Sequence, residues 1–189
     1  MDEGSGIDTR INSFALVSYL SGPLAEFVDK IRHDFAPESM SKAHVTILPP
    51  RPLRESPPAA MDAWVELRNR LQDVPPFRLE LGEIEVFPST RILYLSIKAG
   101  FWELDSMHQA LNAGRVAFQE SYPYYPHVTL VHELAPEDLP YAVQFARWRW
   151  SEFEHPRSIS VERLTFVQNT LENYWIDLAM LDLRSPVAR

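Results

Sequence analysis

Apolar positions fall into short runs broken by proline and glycine, and their spacing switches between strand-like and helix-like along the chain. SFALVSYL (13–20) predicts a strand. Gly22 and Pro23 break it and open a helix with Leu24, Phe27, Val28, Ile31 and Phe35 at helical spacing, which Pro37 ends. SKAHVTIL (41–48) predicts a second strand, stopped by Pro49 and Pro50. The five prolines from Pro49 to Pro58 predict a stiff exposed loop carrying Arg51 and Arg54. A helix over about 59–73 follows, with Met61, Trp64, Val65, Arg68 and Leu71 along one side. FRLELGEIEVF (77–87) and ILYLSIKA (92–99) read as strands, and Phe101 to Glu120 as a helix through Leu104, Met107, Leu111 and Phe118. YYPHVTLVHEL (124–134) is again a strand, and a helix follows Pro136 to about Trp150. SISVERLTFVQ and YWIDLAMLDL predict a hairpin turning at Asn169 to Asn173.

Residues 13–73 thus run strand, helix, strand, helix, and residues 92–150 repeat that order. A His-Val-Thr tripeptide occurs in each half, at His44 and at His127, while the rest of the halves share pattern rather than identity. The terminal hairpin and the paired runs at 77–99 favour antiparallel pairing over parallel crossover units. The expectation is an α+β fold of two related, pseudo-symmetric lobes, as one bilobal domain over 13–189 behind a flexible leader at 1–12.

Composition narrows what such a fold can do. Of 189 residues 46% are hydrophobic and 23% charged, as in folded globular domains. Eighteen Lys and Arg against 26 Asp and Glu give a net charge of −8, which argues against a broad duplex-binding face but leaves room for a local nucleotide pocket. The absence of cysteine removes disulfides, thiol nucleophiles and Cys-zinc sites, and agrees with a reducing compartment. The polar start MDEGSGIDTR has no signal-peptide character, and no apolar run approaches the roughly 20 residues of a membrane span. A cytoplasmic, monomeric protein with no membrane partner is expected.

The chemistry lies in the two tripeptides. In a strand, residues two apart share a face, so His44 stands beside Thr46 and His127 beside Thr129, while Val45, Ile47, Val128 and Leu130 face a core. With six His and six Thr in the chain, roughly 0.2 such tripeptides are expected by chance. Two imidazoles facing one substrate supply a general base and a general acid near neutral pH. The adjacent hydroxyls donate to phosphate oxygens. Neither tripeptide carries a carboxylate, so no metal or cofactor is expected. The GxxxxGK[ST], HExxH and GxSxG motifs are absent.

AHVTIL (43–48) and PHVTLV (126–131), with FPSTRILYLSI (87–97) between them and LTFVQNTLENYWIDL (164–178) after them, resemble the 2H phosphoesterase superfamily. The resemblance is to its 2′-5′ RNA ligase / RNA 2′,3′-cyclic phosphodiesterase branch. It implies a bilobal α+β fold with both motifs facing a central cleft. It also implies metal-independent chemistry on 2′,3′-cyclic phosphates or 2′-5′ diesters of RNA ends or nucleotides. His127 is then the better candidate base and His44 the acid, with the roles open to exchange. Many RNA-acting relatives carry arginine five residues past the second histidine, where this chain has His132. The alternative is a nucleotide- or phosphate-binding module that keeps the cleft without turnover.

Weaker substrate-binding candidates surround these four residues. Tyr124 and Tyr125, with Tyr122, are placed to stack on a base. Arg51 and Arg54 are placed to reach a phosphate from the proline-rich loop. His132 has an odd offset from His127, so it joins the same face only if the strand ends or bulges there. Arg91 reads as structural, and His33, His108 and His155 as surface, capping or loop residues.

Overall fold

Two central strands, β1 (Arg10–Tyr19) and β4 (Ile92–Ala99), each organise one antiparallel sheet in the computed structural model, which describes residues 9–39, 41–54, 59–132 and 134–184. In the first sheet β1 lies between β2 (His44–Arg51) and β7 (Arg163–Thr170), and β8 (Trp175–Asp182) completes the order β2-β1-β7-β8. In the second, β4 lies between β5 (His127–Val131) and β3 (Phe77–Phe87), and β6 (Ser158–Val161) completes β5-β4-β3-β6. The motif strands β2 and β5 are therefore the edges of their sheets, and they lie against one another. The repeat expected from sequence is the repeat of the fold.

The helices are α1 (Gly22–Phe35), α2 (Ala60–Leu71), α3 (Phe101–Leu111) and α4 (Leu139–Ser151). They knit the lobes together by crossing over: α1, which follows β1, packs on β5 of the other sheet, and α3, which follows β4, packs on β2. Leu24, Val28 and Ile31 of α1, Val45 and Ile47 of β2, and Val128 and Leu130 of β5 all enter one continuous apolar core. At roughly 25 cal/mol per Å² of apolar surface removed from water, that core is what holds two edge strands from different sheets side by side.

Several boundaries depart from the sequence expectation for identifiable reasons. β1 starts at Arg10, so Arg10 to Asn12 of the expected leader are strand, and residues 1–8 lie outside the described residues. Asn12 there exchanges two hydrogen bonds with the backbone of Leu53, at 3.0 and 2.9 Å. β2 does not stop at Pro49 but continues to Arg51, because its outer side is an open edge and a register shift between the Leu16–Leu48 and Phe14–Arg51 pairs leaves Pro49 and Pro50 out of the ladder. Arg51 is accordingly a buried strand residue rather than part of an exposed loop. The third helix ends at Leu111, and the chain turns through a short 3-10 segment at Gly114–Val116. Gly114 has φ +61°, a left-handed conformation that favours glycine, and the Glu66 carboxylate closes over it where a Cβ would stand. SISVERLTFVQ is two strands, not one: β6 joins the second sheet and β7 the first. Asn173, with φ 56°, serves the predicted turn into β8.

Candidate active site

His44 and His127 are the first residues of β2 and β5. Strand alternation leaves His44, Thr46, His127 and Thr129 partly exposed, while Val45, Ile47, Val128 and Leu130 are no more than 1% exposed. Both rings are held in the same way. His44 Nδ1 donates to the carbonyl of Lys42 at 2.7 Å, and His127 Nδ1 donates to that of Tyr125 at 2.7 Å. A carbonyl only accepts, so each Nδ1 carries hydrogen and each neutral ring keeps its lone pair on Nε2. Among the described residues neither threonine hydroxyl is taken by a protein hydrogen bond.

The electrostatics favour neutral rings. Burial is the largest influence on both, and the backbone hydrogen bonds only partly oppose it. The Arg32 charge, with His132 and His127, further disfavours protonation of His44, which is pushed down to about 4. His127 is also lowered, with His132 as its charged neighbour. His132 thus acts on both rings from just beyond β5, where the strand has ended and alternation no longer directs its side chain.

The two imidazoles have different surroundings. His127 stands edge-on to Phe87 at 5.0 Å and to Tyr94 at 5.3 Å, and the Tyr94 hydroxyl donates to Glu85 at 3.0 Å. His44 meets the Tyr19 ring at 6.5 Å. The Tyr19 hydroxyl donates to Asp177, which also pairs with Lys42 at 3.1 Å. Burial and the neighbouring carboxylates raise both phenols well above the ordinary tyrosine value, so they remain protonated donors.

The other candidates divide. Tyr125 is 41% exposed beside His127, with its ring 5.8 Å from Phe87 and 5.5 Å from Phe101. Tyr124 is turned inward: it stacks on His108 at 3.9 Å, and its hydroxyl donates to the Thr46 carbonyl at 2.7 Å. Tyr122 is 65% exposed and Arg54 is exposed. Arg51 is spent on the fold. Its guanidinium pairs with Glu120 and donates to Asn112 Oδ1 at 2.7 Å and to the carbonyls of Pro49 and Val116. Arg91 donates to the Leu134 carbonyl, the structural role expected of it. His33 and His155 are exposed. His108 is not on the surface but buried, with Nδ1 on the Ile47 carbonyl at 2.9 Å, because α3 packs on β2 rather than facing solvent.

Sequence reasoning passed over Tyr19, Phe87, Tyr94, Asp177 and Arg32. For Arg32 a signal existed: with Leu24 and Val28 it falls on the buried stripe of α1, where a charge needs partners.

Two lobes whose edge strands each present an imidazole and a hydroxyl define the architecture of a two-histidine phosphoesterase. The model of the 2′-5′ RNA ligase superfamily matches residues 20–173, and the chain belongs to that family. Escherichia coli LigT in complex with 3′-AMP is similar in structure, with TM-score 0.65 and 18% identity over 91% of this chain and 98% of that one. TT0787 of Thermus thermophilus has TM-score 0.63 and 17% identity over 92% and 98%. By sequence, OB1230 of Oceanobacillus iheyensis, named as a phosphoesterase, is 24% identical over 74 residues. That match covers 39% of this chain and 43% of the relative.

Proposed function

We propose that the protein is a metal-independent phosphodiesterase acting on 2′,3′-cyclic phosphate or 2′-5′ phosphodiester bonds of RNA ends or nucleotides. The observation that carries this reading is the matched pair of imidazoles, each with Nδ1 anchored on a carbonyl two residues upstream so that Nε2 is its basic nitrogen, and each with a hydroxyl beside it. Water attacks phosphorus, one Nε2 accepts its proton, and the other imidazole gives a proton to the ribose oxygen as its P–O bond breaks. Thr46 and Thr129 donate to the non-bridging oxygens, whose charge grows in the transition state. Tyr125 offers an exposed ring face to a base, and His132 adds a donor at the phosphate. The LigT structures with 3′-AMP, ATP and NADP+ support a nucleotide-sized ligand for this cleft.

The direct test is turnover of nucleoside 2′,3′-cyclic phosphates and of a 2′-5′-linked dinucleotide in EDTA, with the His44→Ala/His127→Ala double variant as control. Hydrolysis by the native protein alone is expected, and the position of the product phosphate identifies the leaving oxygen. A folded native protein that binds nucleotide but turns over neither substrate would replace this reading with the binding module.

The pH profile supplies a second test. Catalysis requires one imidazole protonated and one neutral, and kcat/KM reports the free enzyme. Both rings are lowered from the ordinary histidine value of 6.5, His44 to about 4. The singly protonated pair is therefore most populated below pH 6.5, and the pair loses its only proton as pH rises beyond that. The kcat/KM optimum is expected between about pH 4 and 6.5, with a falling alkaline limb. An optimum at pH 7.5 or above would contradict the assignment.

A further inference from the structure

The catalytic strands belong to different sheets, so no sheet ladder fixes one histidine relative to the other. Two side chains do so instead, in a reciprocal arrangement. Arg32, from the last turn of α1 and only 5% exposed, donates through Nη1 to the Ser41 carbonyl at 2.6 Å and through Nη2 to the Thr129 carbonyl at 2.7 Å. Ser41 lies three residues before His44, and Thr129 two after His127. Tyr124 lies three residues before His127, and its hydroxyl donates to the carbonyl of Thr46, two after His44. The approach to each histidine is thus tied to the threonine of the other motif, once directly and once through a planar guanidinium fork whose donor directions are fixed. Tyr124 is itself fixed by its stack on the buried His108, which holds the neighbouring Ile47 carbonyl.

We propose that Arg32 and Tyr124 are positioning residues that set the separation of the two imidazoles, with the Arg32 guanidinium also bringing its charge to the His44 side. This rests on the two-histidine reading above. Arg32 donates here to neutral carbonyls, and Asp29, one turn earlier on α1, acts on it only from a distance. Its charge is therefore felt at His44. The other charged or titratable groups around that ring are His127 and His132 from the β5 side, Tyr19 on β1, and the Lys42–Asp177 pair.

The experiment combines steady-state kinetics with NMR titration of both imidazoles in Arg32→Met, Arg32→Lys and Tyr124→Phe. Arg32→Met is expected to lower kcat about 10²-fold, the cost of misplacing reacting groups by about 1 Å. KM should stay near the native value, since Arg32 reaches backbone carbonyls rather than substrate. His44 should titrate at higher pH in this variant. Arg32→Lys keeps the charge but not the fork, so kcat should fall while the His44 titration stays low. Tyr124→Phe should lower kcat about five- to tenfold through one lost hydrogen bond. Native kcat in Arg32→Lys, or an unmoved His44 titration in folded Arg32→Met, overturns the proposal. If Arg32→Met does not fold, the lysine and phenylalanine variants decide. The titrations do not depend on turnover, so failure of the brace is distinguishable from failure of the phosphodiesterase reading.

Discussion

Replacing His44 or His127 by alanine is expected to lower kcat/KM about 10²–10⁴-fold, with the melting temperature nearly unchanged. The magnitude is that of a positioned general acid or base, and corresponds to about 2.7–5.4 kcal/mol of transition-state free energy. Stability is spared because each ring's hydrogen bond is local, to a carbonyl two residues upstream, and the core contacts of these strands come from Val45, Ile47, Val128 and Leu130. The double variant should lose much less than the product of the single losses, because an acid and a base serve one proton-transfer sequence. Thr46→Val and Thr129→Val should cost less, about 10–100-fold, as expected for one hydrogen bond to an anionic phosphate. Kinetics on a 2′,3′-cyclic nucleotide, with thermal melts of each variant, read these differences. A single histidine variant with native kcat/KM would remove that ring from the chemistry.

The four motif residues were legible because strand alternation places a polar pair on one face of an otherwise apolar strand. The pairing of β7 with β8 was legible from two strand-forming runs flanking a short polar turn, at which Asn173 takes a positive φ. What failed was decided by non-local partners. Pro49 and Pro50 read as a strand stop, yet β2 is an edge strand and its register with β1 shifts at these two residues, so neither is asked for a ladder N–H. Nothing local marks β2 as an edge. Arg51 read as a free cation because its partners Asn112, Val116 and Glu120 lie more than 60 residues away. His108 read as a surface residue because α3 packs on the other half's strand, an exchange that appears only when both lobes are assembled. Tyr124 had the right neighbourhood, but its hydroxyl goes to backbone, which residue type alone does not disclose.

Arg51→Met is expected to destabilise the fold by about 3–5 kcal/mol, the usual cost of removing one partner from a buried ion pair. The Arg51 side chain is 1% exposed and that of Glu120 15%, so water screens the pair poorly. Burial pulls the guanidinium below its ordinary value, and the Glu120 carboxylate opposes that shift. Arg51→Met leaves the Glu120 carboxylate, among the described residues, with His108 Nε2 at 3.6 Å. It also strips the Asn112 Oδ1 and the Pro49 and Val116 carbonyls of a donor. For a chain of this length the loss reads as a melting temperature lower by about 6–20 °C. Glu120→Gln should be destabilising as well, and the Arg51→Met/Glu120→Gln pair less so than the sum of the singles, because no unpaired charge remains. The same variants separate the two roles open to Arg51. A residue that holds β2 against the α3 side of the molecule changes the melting temperature and leaves KM of the folded fraction alone. A residue that binds phosphate would raise KM with stability intact, and that outcome would return Arg51 to the substrate.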